Sequence, residues 1–378
     1  MIQVYNMKKK LLILTASYGT GHVTAAKSIN EAINKNFSEY ETKIVDFLQF
    51  KQEQTKLTFF QKLYNFSMEK PILFDIFFFM TSNRLCVFLL KLMILSSSYK
   101  KFKNLFNEYQ PDLIISTHPY WNFIVEKYKK QVQKNIPYLC VITDSYMVHQ
   151  AWVDKSVDYY LVIDEDTKHL LINKGIKSIY VTGFPVNSKL FEKVDKEKIL
   201  AELGLDPYKL TILIVVGLGA VNRFVEIIEF LKNKTQNFQM IIVAGKYQNI
   251  YDMFNKMNFV PKTKLIGWTD RMFDFIRISD LVISKGGGAI VSESLSGKTP
   301  VFVPVFVPGQ ERGNVYILKK YGIGFHENDI NKIYNLLEKI INGDINLNEY
   351  KDKIEKWVKY DPAYKIASLT NKILLNKI

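Results

Sequence analysis

Residues 8–22 read KKKLLILTASYGTGH, and the fold turns on how this stretch is taken. Three lysines ahead of an apolar run look like the start of a secretory signal. The run, Leu11-Leu12-Ile13-Leu14, is interrupted by Thr15 and Ser17 and then meets Gly19-Thr20-Gly21-His22. A signal needs about 7–15 apolar residues and a small-residue cleavage site. Residues 11–16 therefore read as a buried strand and residues 17–22 as a glycine loop. A helix follows, with Ala25, Ala26, Ile29, Ala32 and Ile33 on one face. Strand, glycine loop and helix in that order open a parallel α/β sheet.

The same grammar continues outward. Short apolar runs at 43–47, 113–116, 138–143 and 159–163 alternate with helical stretches. It restarts at 210–216, which ends in Gly217-Leu218-Gly219, and continues at 240–244, 264–266, 281–284 and 300–303. The expected fold class is α/β: two Rossmann-like domains whose parallel sheets face a central cleft at their strand C-termini. The first domain is expected over residues 1–185 and the second over 186–360, with the boundary in the Lys/Glu-rich stretch 182–198. Asp361-Pro362 breaks the last helical stretch, so 361–378 is expected as a helix packing back toward the first domain.

Composition excludes several classes. The chain has 378 residues, 48% of them apolar, so it is not disordered. Two cysteines, Cys86 and Cys140, form neither a disulfide framework nor a zinc site, and five scattered histidines hold no HxxxH pair. A cytoplasmic compartment is expected. No apolar run approaches the ~20 residues of a membrane span. Lys and Arg number 51 against 37 Asp and Glu, a net charge of +14. Such a balance points to nucleic acid, an anionic membrane or an anionic substrate. Residues 1–190 carry 24 − 16 = +8 and the rest +6, so neither half is massed with charge as a nucleic-acid binder would be. Residues 56–106 are crowded with Phe, Leu, Met and Tyr among basic residues. They read either as helices packed on the core or as an amphipathic element in a membrane interface.

Four loops carry chemistry. After the first strand comes Gly19-Thr20-Gly21-His22, where His22 can act as a general base at a helix start. With Asp46 ending the next strand, the same loop is a weak match to a dinucleotide site. Thr143-Asp144 ends another strand, and Asp144 can orient a base or accept a proton, with His149 and Trp152 shaping the acceptor side. Ser284-Lys285-Gly286-Gly287-Gly288 runs from a strand into a helix and offers backbone amides to a diphosphate, while Glu293 can accept both hydroxyls of a ribose. The loop from Pro308 through Gln310, Glu311 and Asn314 suits sugar hydroxyls. Asp164-Glu165-Asp166 looks like a metal-binding acidic triplet but begins a helix, where N-capping explains it better.

Taken in order, these loops resemble the diacylglycerol glycosyltransferases: bacterial processive diacylglycerol glucosyltransferases and plant monogalactosyldiacylglycerol synthases. The resemblance runs from Leu11 to Phe325 and includes Thr182-Gly183-Phe184-Pro185-Val186 and Gly267-Trp268. It implies a GT-B architecture and an inverting, metal-independent transfer with no cofactor. The implied substrates are a UDP-sugar donor and diacylglycerol or glycosyl-diacylglycerol as acceptor. By the same resemblance Gly267, Trp268 and Thr269 meet the uracil and Glu293 the ribose. Gly219, Gly286, Gly287 and Gly288 meet the diphosphate, and Gln310 and Glu311 the hexose, with Asn314 beside them. His22 lies at the reacting centre, with Asp144 as the second choice of base, and Gly21 lies on the acceptor side. Residues 56–106 match a membrane-associated region, placing the protein on the inner face of the cell membrane against anionic lipids. A lipid-linked N-acetylglucosaminyltransferase, a UDP-GlcNAc 2-epimerase and a non-catalytic UDP-sugar binder remain alternatives. A retaining mechanism is disfavoured, because the Glu-x7-Glu position after Glu293 is Val301.

Overall fold

The computed structural model describes residues 8–50, 78, 80–132, 135–217, 219–234 and 237–377. Two compact units emerge. The N-terminal unit comprises Met1–Ser188, Pro308–Gln310 and Tyr360–Ile378, and the C-terminal unit Lys189–Val307 and Glu311–Lys359. The division thus falls at Ser188 instead of residue 185, and the last helix belongs to the N-terminal unit.

In the N-terminal unit, six parallel strands run β1 (Lys9–Thr15), β2 (Tyr40–Asp46), β3 (Leu113–Ser116), β4 (Tyr138–Val141), β5 (Tyr159–Val162) and β6 (Ile179–Val181), in the spatial order β2-β1-β3-β4-β5-β6. Leu11, Leu12, Ile13 and Leu14 are fully buried, as a central parallel strand covered on both faces requires. On one face Leu11 and Ile13 meet Ala26, Ile29 and Ile33 of the helix Thr20–Asn36. Ala363, Ile366 and Ala367 of the C-terminal helix Pro362–Leu374 join the same cluster. That helix starts sharply: Asp361 accepts the Ala363 amide at 2.9 Å, and Pro362 occupies the first turn. Gly183 (φ +82°) packs against it so closely that a Cβ would lie 2.9 Å from Pro362 Cγ. On the other face Leu12 and Leu14 meet Phe47, Phe102, Phe106 and Trp121.

Phe102 and Phe106 come from the long helix Arg84–Tyr109, capped by Asn83 accepting the Leu85 amide at 2.9 Å. Its C-terminal half turns Tyr99, Phe102, Phe106 and Tyr109 inward. Its N-terminal half leaves Leu85, Phe88, Leu89, Leu92 and Met93 exposed at helical spacing. Residues 56–77 of the expected membrane segment lie outside the described residues.

The C-terminal unit repeats the plan with β7 (Leu210–Val215), β8 (Phe238–Val243), β9 (Lys262–Ile266), β10 (Leu281–Ser284), β11 (Val301–Val303) and β12 (Gly324–His326), ordered β12-β11-β10-β7-β8-β9, all parallel. In each unit the chain leaves the first strand to one side and later returns on the other. The reversal points lie between β1 and β3 and between β7 and β10. Loops at such a reversal splay apart and leave a crevice for ligands.

Candidate active site

His22 lies at the first reversal point. It follows β1 on the helix Thr20–Asn36, and Gly19 (φ +105°) lets the chain turn into that helix. Its Nδ1 is 2.8 Å from the Thr117 carbonyl, just beyond β3, and 2.9 Å from Thr143 Oγ1 beyond β4. A carbonyl can only accept, so Nδ1 carries the ring proton and Nε2 keeps its lone pair. Among the described residues no hydrogen bond reaches Nε2. Desolvation lowers the pKa to about 4, against an opposing push from the Thr117 bond, so the ring is neutral at pH 7. His118 sits edge-to-face with it, ring centroids 4.6 Å apart, and Tyr18 stacks on His118 at 5.5 Å. The His118 Nδ1 accepts the Tyr120 amide at 3.3 Å, and burial drives its pKa well down.

Asp144 is oriented by a different partner. The Trp152 indole donates to Oδ2 at 2.6 Å, and the Trp152 ring lies 6.1 Å from that of His22. Burial raises the Asp144 pKa to about 6, the indole bond opposing it. His149 caps the short turn Gln150–Trp152 through Nδ1, and its Nε2 meets Thr81 Oγ1 at 3.3 Å. Its pKa falls to about 4, first by burial and then by the charge of Lys174. Gly21 has open space where a Cβ would stand. Asp46 accepts the Ser17 amide at 3.2 Å, the Leu48 amide at 2.9 Å and the Ser17 hydroxyl. Both oxygens are engaged within the chain, by Ser17 and Leu48. Asp164 caps the helix Glu165–Asn173 by accepting the Thr167 amide at 2.7 Å.

At the second reversal point, the loops after β7 and β10 meet: a Cβ on Gly217 would come 2.9 Å from Lys285 Cβ. Gly219 is exposed at φ +76°. Gly286 admits no side chain, since a Cβ would stand 2.7 Å from Phe306 Cβ. Asn314 Nδ2 donates to the Gly286 carbonyl at 2.8 Å and fixes the turn. Gly287 then starts the helix that runs from Gly288 to Ser296 and carries Glu293. The Glu293 carboxylate accepts no hydrogen bond among the described residues, and burial raises its pKa to about 7. Beyond β9, Gly267 is followed by Trp268, 62% exposed with Lys246 Nζ 5.5 Å from its ring centre, and Thr269 Oγ1 accepts the Arg271 amide at 3.0 Å. Gln310 opens the helix Gln310–Tyr321. Glu311 is engaged at both oxygens, by Lys285 Nζ at 3.0 Å and the Val307 amide at 2.6 Å.

The family model for monogalactosyldiacylglycerol (MGDG) synthase matches residues 22–186, the segment built around His22 and Asp144. That for the glycosyltransferase family 28 C-terminal domain matches residues 211–359, the segment built around Glu293. A processive diacylglycerol beta-glucosyltransferase of Bacillus licheniformis is 28% identical over 371 residues, 93% of this chain and 91% of that protein. The enzyme of the same name from Staphylococcus epidermidis is 29% identical over 351 residues, 92% and 88%. Over most of its length this chain is similar to processive diacylglycerol beta-glucosyltransferases.

Solved structures place its fold. A UDP-glucosyltransferase from Polygonum tinctorium superposes with a TM-score of 0.65 at 11% identity, covering 97% of this chain and 99% of that one. A UDP-GlcNAc 2-epimerase from Neisseria meningitidis gives 0.60 at 18% identity, covering 97% and 100%. The fold is GT-B. The N-terminal unit brings His22, Trp152 and Asp144 together, and the C-terminal unit brings Asn314 onto the turn Gly286–Gly288. Sequence reasoning did not single out His118 for the site. Its signal was its place, directly after a strand that neighbours β1.

Proposed function

We propose that this chain is an inverting hexosyltransferase that moves a hexose from a UDP-sugar to diacylglycerol, and in a further round to glycosyl-diacylglycerol. The observation that carries the reading is His22: neutral, its proton held on Nδ1 by Thr117, its Nε2 open. The lipid hydroxyl attacks C1 of the hexose from the face opposite the diphosphate. Its proton passes to His22 Nε2 as the bond to C1 forms. The C1–O bond to the diphosphate breaks, and both its electrons leave with UDP. A base placed for that proton contributes typically ~10²–10⁴-fold. Asp144, tied to Trp152, orients the wall beside the base.

Glu293 holds the ribose hydroxyls, Trp268 offers a face to the uracil, and the amides of Gly286–Gly288 receive the growing charge on the leaving group without a metal. Gln310 meets the hexose. The acceptor reaches the enzyme through a membrane: Leu85, Phe88, Leu89, Leu92 and Met93 enter the interface, and exposed Arg84, Lys100, Lys101 and Lys103 face anionic headgroups on the inner leaflet. The exposed stripe supports this; among the described residues no helix is long and apolar enough to cross a membrane.

The test is His22→Ala. Turnover of UDP-hexose with diacylglycerol is expected to fall ~10²–10⁴-fold while UDP affinity stays unchanged. Surviving turnover would remove His22 as the base.

A further inference from the structure

Lys285 and Glu311 form an ion pair that the assignments above do not require. The lysine side chain is 21% exposed and the glutamate 7%. Glu311 is held from both sides, by the ammonium at one oxygen and the Val307 amide at the other. Lys285 is held along its stem, where Gly217 leaves room for it. The pair lies directly over the glycine turn: a Cβ on Gly287 would stand 3.8 Å from Glu311 Oε1 and 4.0 Å from Lys285 Cε. An ammonium has three donors, and only Glu311 engages this one among the described residues.

A largely buried ion pair is a poor strut. Desolvation offsets most of its attraction, and apolar side chains of the same volume would hold the loop as well. What the pair does supply is a unit positive charge, positioned in advance, beside backbone amides that offer only partial charges.

We propose that Lys285 is the cation that binds the β-phosphate of the nucleotide, and that Glu311 is its counter-ion, not a ligand of the hexose. The proposal rests on the UDP-sugar reading. When C1 leaves the diphosphate, the bonding electrons settle on a β-phosphate oxygen, and the ammonium exchanges Glu311 for that oxygen. The proton stays on Lys285 and no bond to it forms or breaks. Glu311, still bonded to Val307, keeps the loop in place and recovers the lysine when UDP departs.

The experiment compares UDP and UMP binding by titration calorimetry in metal-free buffer, for the wild-type protein, Lys285→Gln, Lys285→Arg and Glu311→Gln. The wild type is expected to prefer UDP. Lys285→Gln should lose about tenfold or more in UDP affinity and stay within about twofold for UMP, because only the β-phosphate contact is gone. Lys285→Arg should keep the preference, and Glu311→Gln, which removes the competing carboxylate, should bind UDP more tightly. A Lys285→Gln protein that keeps the full wild-type ratio of UDP to UMP affinity overturns the proposal, as does a Glu311→Gln protein that loses UDP affinity alongside it. A wild type that binds neither nucleotide overturns the UDP-sugar reading itself, and a wild type that binds UDP with the preference unmoved by Lys285→Gln overturns only the role of Lys285.

Discussion

At Glu293 burial works against the charge that a ribose site uses. The carboxyl titrates near pH 7 in the folded chain, above its ordinary 4.5. Between those values the folded state keeps a proton that the unfolded chain gives up. Its contribution to stability is therefore full below pH 4.5 and is lost as pH rises through 7. Ribose hydroxyls donate to the charged form. Uridine, which has no ionising phosphate, is expected to bind more tightly as pH rises from 6 and to level off above 7, with one proton released on binding. Glu293→Gln should bind about tenfold more weakly with a flat pH profile, and should gain more in melting temperature at pH 8 than at pH 5. Calorimetry across that range decides it, and a wild-type affinity indifferent to pH removes Glu293 from the ribose. Both Glu293 and His22 were legible in the sequence because each follows a strand and a glycine loop. Lys285 was visible only as part of its loop, since its charge acquires meaning from Glu311 and Gly217, which are remote in sequence. Asp46 shows the converse. Its position matched a dinucleotide site, but Ser17 and Leu48 claim its oxygens.

Among the elements, the central apolar strands were legible and two of the edge strands were not. Leu11–Leu14 of β1, Leu113–Ile115 of β3, Ile212–Ile214 of β7 and Leu281–Ile283 of β10 are buried and read as apolar runs. β6 and β12, Ile-Tyr-Val and Gly-Phe-His, close the sheets at their edges, where no apolar run like that of Val301–Val303 marks them. The helix Arg84–Tyr109 defeated a single reading because only part of its apolar residues pack inward. Its C-terminal half packs on the core, while Phe88 and Leu92 remain 55% and 49% exposed in its N-terminal half. Replacing both with serine should leave the thermal melt nearly unchanged, since little buried area is lost. Binding to anionic vesicles should fall by about a hundredfold or more, because each large apolar side chain withdrawn from the interface forfeits about 1.5–3 kcal/mol. Vesicle flotation measures this, and undiminished binding would mean that the stripe faces something other than lipid.

For the molecule as a whole, the +14 charge is an ambiguous quantity until the fold divides it. Lysines paired with glutamates on helix surfaces, as in Lys234–Glu338 and Lys298–Glu355, contribute little to stability and nothing specific to function. Under the proposals above, part of the remainder serves the basic, aromatic N-terminal segment and the loop at Lys285. Two Rossmann-like units were readable from the repeated strand-loop-helix order. Which hexose is carried was not, because sugar configuration is recognised by side-chain placement that spacing does not encode. GT-B chains of quite different activity share this architecture, so the fold leaves both transfer and epimerisation possible and the site must decide between them. The decisive measurement is product analysis after incubating the purified protein with diacylglycerol in anionic vesicles and UDP-glucose, UDP-galactose or UDP-GlcNAc in turn. A β-linked glycosyl-diacylglycerol from one of these donors, absent with His22→Ala, is the expected result. An epimerised nucleotide-sugar formed without lipid, or a product of α configuration, would contradict it.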